Sequence, residues 1–145
     1  MGDPARWLAQ DALERLALPW LDRKRANIAR RRYSTYEDSS LKPSADGPLS
    51  IVVRDYGMND RGFDVFVGEI PEPFELDDND KRDRQEFETL VRAVLEGRVT
   101  ITVARTPLGQ RIREVAWDDN SWSVPRYLSL SAVRLSVHSR VFPAY

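Results

Sequence analysis

Six cations fall within ten residues: Arg23, Lys24, Arg25, Arg30, Arg31 and Arg32. A run this dense can meet an anion, either the phosphates of a nucleic acid or an acidic protein face. It can also be a solvated helix face, paired with the acidic middle of the same chain. The basic residues are 19 Arg and 3 Lys. Arginine's planar fork suits carboxylate and phosphate alike. Two features hold back the nucleic-acid reading. The sequence pI of about 5.9 is far below that of basic nucleic-acid domains, and no base-reading motif surrounds the run.

The second constellation is acidic: Glu69, Glu72, Glu75, Asp77, Asp78 and Asp80. Clustered carboxylates can hold calcium, but the loop pattern fails here. Counted from Asp78, Arg82 stands at the fifth position, Asp83 where glycine is required and Thr89 where the closing glutamate belongs. The run then reads as a helix-capping segment, with Glu72, Glu75, Asp77 and Asp78 as a second candidate surface for a partner.

The third is a lone group. His138 is the only histidine and there is no cysteine. Disulfides and thiol chemistry are excluded, and a zinc site would rest on one His plus carboxylates, a poor donor set. No base–nucleophile arrangement, phosphate loop, dinucleotide fingerprint or nucleophile elbow is present. Asp55 and Asp64 lie in or beside strands, and nothing in their neighbours marks them as a paired acid and base. No catalytic residue, metal or cofactor is expected.

These groups need elements to position them. Phe87, Leu90, Val91, Val94 and Leu95 recur at helical spacing, with Arg84, Glu88, Arg92 and Glu96 on the opposite face. Asp77 to Asp80 supply N-caps and Gly97 a stop. The period then switches to 2 through Val99, Ile101 and Val103, which predicts a strand. Leu49, Ile51 and Val53 predict another, and Phe63–Ile70 its hairpin partner across the 57–62 loop. Pro71 and Pro73 end that pairing. Thr106-Pro107-Leu108-Gly109 has turn chemistry and leads into a strand over Gln110–Trp117. A further turn, 118–121, lies before Trp122. Near Ser131 the apolar phase slips from Leu128 and Leu130 to Val133, Leu135, Val137 and Val141. His138 shares the polar side of that last strand with Arg134, Ser136 and Arg140.

At the front, Asp3-Pro4 opens a helix carrying Trp7, Leu8, Ala12, Leu13 and Leu16. Leu18-Pro19 should break it, and a second helix from about Trp20 to Tyr33 would carry the basic run. Residues 34–48 read as a polar loop.

The expected fold is one α+β domain over residues 1–145: a helical segment 1–33, a loop 34–48, and a sheet with a central helix over 49–145. Its order is ααββαβββ, with one more strand where the phase slips. This order resembles that of the cone-shaped domains related to nuclear transport factor 2 and ketosteroid isomerase, through element order and no shared motif. Such a domain implies a pocket for a small ligand or substrate.

Charge is segregated along the chain. Residues 1–46 carry 9 basic and 7 acidic side chains, residues 47–97 carry 6 and 13, and residues 98–145 carry 7 and 3. With four Trp and no catalytic signature, the sequence points to a non-enzymatic protein-interaction module such as an adaptor, inhibitor or immunity-type protein. The alternatives are nucleic-acid binding through the basic helix Arg23–Arg32 and a pocketed small-ligand binder or enzyme on a cone-shaped α+β domain. No apolar run reaches the roughly 20 residues of a membrane span. The first residues lack the form of a secretory signal, so a cytoplasmic protein with no membrane contact is expected.

Overall fold

A computed structural model describes residues 6–57, 62–125 and 136–145. The helix with the strongest period, Lys81–Glu96, forms where the sequence puts it. Asp80 caps it, accepting from the backbone N–H of Arg82 at 2.8 Å and of Asp83 at 3.3 Å. Gly97 ends it in left-handed geometry, with φ 75°. A side chain at Gly97 would not fit, because a Cβ there would lie 2.6 Å from the backbone nitrogen of Ala144.

The N-terminal third departs from the sequence reading. The first helix, α1, runs Ala9–Asp22 and continues through Pro19. Proline in the last turn forfeits one backbone bond without stopping the helix. The turn comes at Lys24, with φ 57°. The expected second helix does not form. Ala26–Arg32 is strand β1, and the expected loop 34–48 contains strand β2, Glu37–Pro43, paired antiparallel with it. Ala26 and Ile28 face the core opposite Pro43 and Leu41. Arg30, on the same face, reaches α1 instead, where its Nη2 donates to Asp11 at 3.2 Å and to Glu14 at 2.9 Å. A thin helical stripe thus loses to cross-strand pairing plus an ion network. Leu8 precedes α1 with no side-chain cap, and Asp3 and Pro4 lie outside the described residues.

The remaining strands are β3 Ile51–Asp55, β4 Gly62–Val67, β5 Phe74–Asp77, β6 Val99–Arg105, β7 Arg111–Trp117, β8 Asn120–Val124 and β9 Ser136–Phe142, with helix α2 (Lys81–Glu96) between β5 and β6. They form two antiparallel sheets, β1-β2-β3-β4-β5 and β8-β7-β6-β9. The α+β class therefore stands, with one N-terminal helix in place of two and with β1, β2 and β5 added. The hairpins β3–β4 and β6–β7 match the expected ones. Leu128, Leu130, Val133, Leu135 and the phase slip lie outside the described residues.

The core lies between the sheets and the helices. Leu90, Val91 and Leu95 of α2 are fully buried, together with Leu13, Ile51, Val65 and Val115. Trp7 packs edge-on against Phe87 and beside Phe63. The two indoles of the second sheet reach α2: Trp117 Nε1 donates to Thr89 Oγ1 at 3.0 Å and Trp122 Nε1 to Glu86 Oε2 at 3.1 Å. Tyr145 closes the gap above α2. Its backbone N–H donates to Leu95 O at 3.1 Å, and its hydroxyl donates to Leu49 O, with Leu41 O at 3.4 Å.

Candidate interaction surface

The sequence candidates separate into those whose charge is neutralised within the chain and those left facing water. The acidic candidates are largely of the first kind. Asp78, 7% exposed, pairs with Arg6. Asp77 accepts from the Asn79 N–H at 2.8 Å, and its own N–H donates to Asp83 at 2.9 Å, which ties the entry to α2. Both carboxylate oxygens of Glu72 accept from Arg113 Nη1 at 3.1 Å. Glu75 lies exposed on β5, on the outer face of the first sheet. Within the run Asp80 caps α2, while Asp78 and Glu72 pair with arginines of the same chain.

The basic candidates divide along β1. Arg30 sits on the inner side, held by Asp11 and Glu14, with Glu37 at 4.0 Å. Its partners come from α1 and β2 rather than from the acidic middle of the chain. Arg32 is 87% exposed and meets Glu37 only at 3.8 Å. Arg23 caps the end of α1, with Lys24 and Arg25 in the turn that follows. Arg31 extends from the outer face of β1. Among the described residues, Arg23, Lys24, Arg25 and Arg31 meet no carboxylate within 4 Å, and all four are exposed. Since β1 is the edge strand of its sheet among the described residues, these cations flank that edge.

The structure adds a group that the sequence reading passed over. The β1–β2 turn brings Tyr33 and Tyr36 together, with ring centroids 4.6 Å apart and the Tyr33 N–H donating to Tyr36 O at 2.7 Å. Tyr56, at the end of β3, meets Tyr36 edge-on at 6.2 Å. Tyr33 and Tyr56 are each 38% exposed. The Arg31 guanidinium lies 5.1 Å from the Tyr33 ring centre, and that of Arg54 lies 4.1 Å from Tyr36 and 5.1 Å from Phe66. Arg54 is fixed by a bidentate pair, Nε to Asp38 Oδ1 at 2.9 Å and Nη2 to Oδ2 at 3.1 Å. That hydrogen bond holds its guanidinium charged well above the ordinary range. Tyr56 donates to Asp64 at 2.5 Å, which raises its phenol above the usual value. The available signal was two tyrosines three residues apart directly after the arginines; in a loop they look like solvated polar residues, and the hairpin brings their rings into contact.

This outer face has a polarity. Arg31 and Lys42 lie on the β1–β2 side and Asp64, Glu75 and Asp77 on the β4–β5 side, with Arg54 between. Asp55 and Asp64 show no paired acid–base arrangement: Asp55 accepts from the Gly57 N–H and Asp64 from Tyr56. His138 is exposed on β9, as expected of the polar side, but the opposite side is not covered, since Val137 is 43% and Val141 66% exposed. Arg134 lies outside the described residues. Among the described residues no group of three or more His, Asp or Glu is placed to hold a metal ion, and no helix is long and apolar enough to cross a membrane.

Comparison of the chain with protein-family models, curated proteins and solved structures returned no match. The chemistry of the surface is therefore read from its own geometry.

Proposed function

We propose that this protein is a non-enzymatic binding module that engages an acidic protein partner along the β1 edge, anchored by Tyr33 and Tyr36. The observation that carries the reading is the close tyrosine pair, its rings tilted 32° to each other, with the Arg31 guanidinium over Tyr33 and that of Arg54 over Tyr36, at the end of a strand flanked by exposed cations. Tyrosine and arginine are the residue types most enriched at the energetic centres of protein interfaces. Here they are already held against one another and by the Arg54–Asp38 pair, so less side-chain entropy remains to be lost on binding. Exposed cations beside them favour an acidic partner and speed its encounter.

The nucleic-acid alternative is weaker on the same face. Phosphate tracking across this sheet would meet Asp38, Asp64, Glu75 and Asp77. The basic helix that motivated it is a strand, so no helix presents these arginines to a groove.

The test is paired affinity capture from cell extract, with the wild type, Tyr33→Ala and Arg31→Glu as baits. An acidic polypeptide held by the wild type and lost from both variants supports the reading. Binding of the purified partner should weaken about tenfold or more in each variant. A partner retained equally by all three baits would overturn it. Capture abolished by nuclease, with single-stranded oligonucleotide binding more tightly than polyglutamate, would replace it with nucleic-acid binding.

A further inference from the structure

The inward face of the second sheet is covered for only half its length. At one end Val99, Val115 and Trp117 are buried under α2, each at most 1% exposed. Two residues further along β6 the cover stops. Ile101 and Val103 are only half-buried, although they continue the same face. Over them lies a cleft of about 540 Å³, walled on the other side by the ends of β3 and β4 at Leu49 and Ile70. That is within the size range that holds small organic ligands, roughly 300–1,000 Å³.

The register places the charges around this apolar floor. Val103 sits opposite Arg113 on β7 and His138 on β9, and Ile101 sits opposite Arg140. Arg113 and Arg140 therefore flank β6 diagonally on one face, two strand spacings across and two residues along, about 12 Å apart between Cα atoms. One step further out, Arg105 and Arg111 face each other directly. Like charges in that position disfavour sheet pairing and add to the positive potential at that end of the sheet. Among the described residues Arg105, Arg111 and Arg140 meet no carboxylate within 4 Å. Arg140 lies 4.7 Å from the centre of the Phe142 ring, at the cleft wall. Arg113 uses only Nη1 toward Glu72, which leaves its other donors outside that pair. One carboxylate, the exposed Glu69, borders the cleft.

From this arrangement we infer a second site: the cleft binds a soluble organic anion, its apolar body on Ile101, Val103 and Leu49 and its carboxylate, sulfonate or phosphate head between Arg113 and Arg140. An apolar floor excludes a bare inorganic ion as the best ligand, because its hydration would be lost with nothing gained there. Two guanidinium groups exclude a neutral hydrocarbon as the best ligand, because only an anion uses their charge-assisted hydrogen bonds. No carboxylate is buried in the cleft, so the site binds and has no acid–base pair with which to react. It shares no lining residue with the tyrosine surface and stands or falls independently of it.

The probe is anilinonaphthalenesulfonate, an aryl body with one anionic head, titrated by fluorescence against its neutral counterpart phenylnaphthylamine. The wild type should take one equivalent of the sulfonate at least tenfold more tightly than the neutral dye, and laurate should displace it. Arg140→Gln, an exposed substitution that leaves the fold intact, should weaken the sulfonate at least fivefold and leave the neutral dye unchanged. Arg92→Gln on α2, away from the cleft, should change neither. Val103→Trp, which fills the floor, should abolish both while circular dichroism stays that of the wild type. Equal affinity for the two dyes, or a sulfonate affinity unmoved by Arg140→Gln, overturns the inference. So does association with phosphatidylglycerol vesicles without displacement of the dye by laurate, which would assign the face to a membrane surface.

Discussion

Removing one oxygen atom, in Tyr145→Phe, should measurably loosen the whole core. The hydroxyl donates to Leu49 O and lies 3.4 Å from Leu41 O, carbonyls 96 and 104 residues away in the chain. Leu41 of β2 is completely buried, and Leu49, just before β3, is 4% exposed. Phenylalanine would fill the same space, so no cavity opens. What is lost is one net hydrogen bond, and a buried carbonyl is left short of a donor, together about 1–3 kcal/mol. In a chain of this size each kcal/mol lowers Tm by about 2–4 °C. A second signature separates this from a generic loss. Burial pushes the Tyr145 phenol above its ordinary value of about 10. The folded state therefore holds that proton more tightly than the unfolded chain. Its contribution is fully present below pH 10 and is lost as pH rises through the raised folded value, with a slope approaching about 1.4 kcal/mol per pH unit. Tyr56 is raised too, by its bond to Asp64, but it is present in both proteins and cancels in the difference. Urea titrations of both proteins at pH 8, 10 and 11 are the assay. The gap between them should be widest at pH 8 and close as pH climbs. A variant within about 0.5 kcal/mol of wild type at pH 8, with an unchanged alkaline arm, would refute the argument.

Leu90→Ala should cost about 2–5 kcal/mol by denaturant melting, because the side chain is fully buried mid-stripe on α2; a loss below about 0.5 kcal/mol would show that another face of the helix carries the core. Arg30→Glu and Arg31→Glu should behave differently despite being neighbours. Arg31 meets no carboxylate among the described residues, and its reversal should stay within about 0.5 kcal/mol. At Arg30 the new carboxylate would face Asp11, Glu14 and Glu37, a loss of about 1 kcal/mol or more that shrinks at high salt. Thermal melts of both variants at two salt concentrations decide it, and equal losses would mean that the Arg30 network is not formed in solution.

How much of this was legible depends on whether a signal is local. The α2–β6 unit was read correctly because its period, its Asp80 cap and its Gly97 stop all lie within one stretch. The β3–β4 and β6–β7 hairpins were read for the same reason, with apolar alternation flanking turn residues. Strand β1 was misread because two of its inward positions, Arg30 and Arg32, are charged, so its alternation is visible only once α1 and β2 supply carboxylates. In β2 only Leu41 is a large apolar residue, and the strand exists through pairing on both sides. At four residues, β5 is too short to show a period, and it hides between Pro73 and the cap of α2. The tyrosine surface and the cleft are both products of register, which joins residues from different strands.

The edge at β1 also governs how the molecule treats its own copies. A strand with unpaired backbone groups along one side is a template for growth, and two such edges laid side by side would fuse two five-stranded sheets into one. Here the approach would bring Arg30, Arg31 and Arg32 of each molecule against the same row on the other, with Arg23, Lys24 and Arg25 at the turn adding to the repulsion. Like-charge repulsion would thus oppose such edge-to-edge pairing. A polyanion that coats this row would remove the barrier and bridge the molecules, so their colloidal behaviour should turn on counter-ion valence as well as on ionic strength.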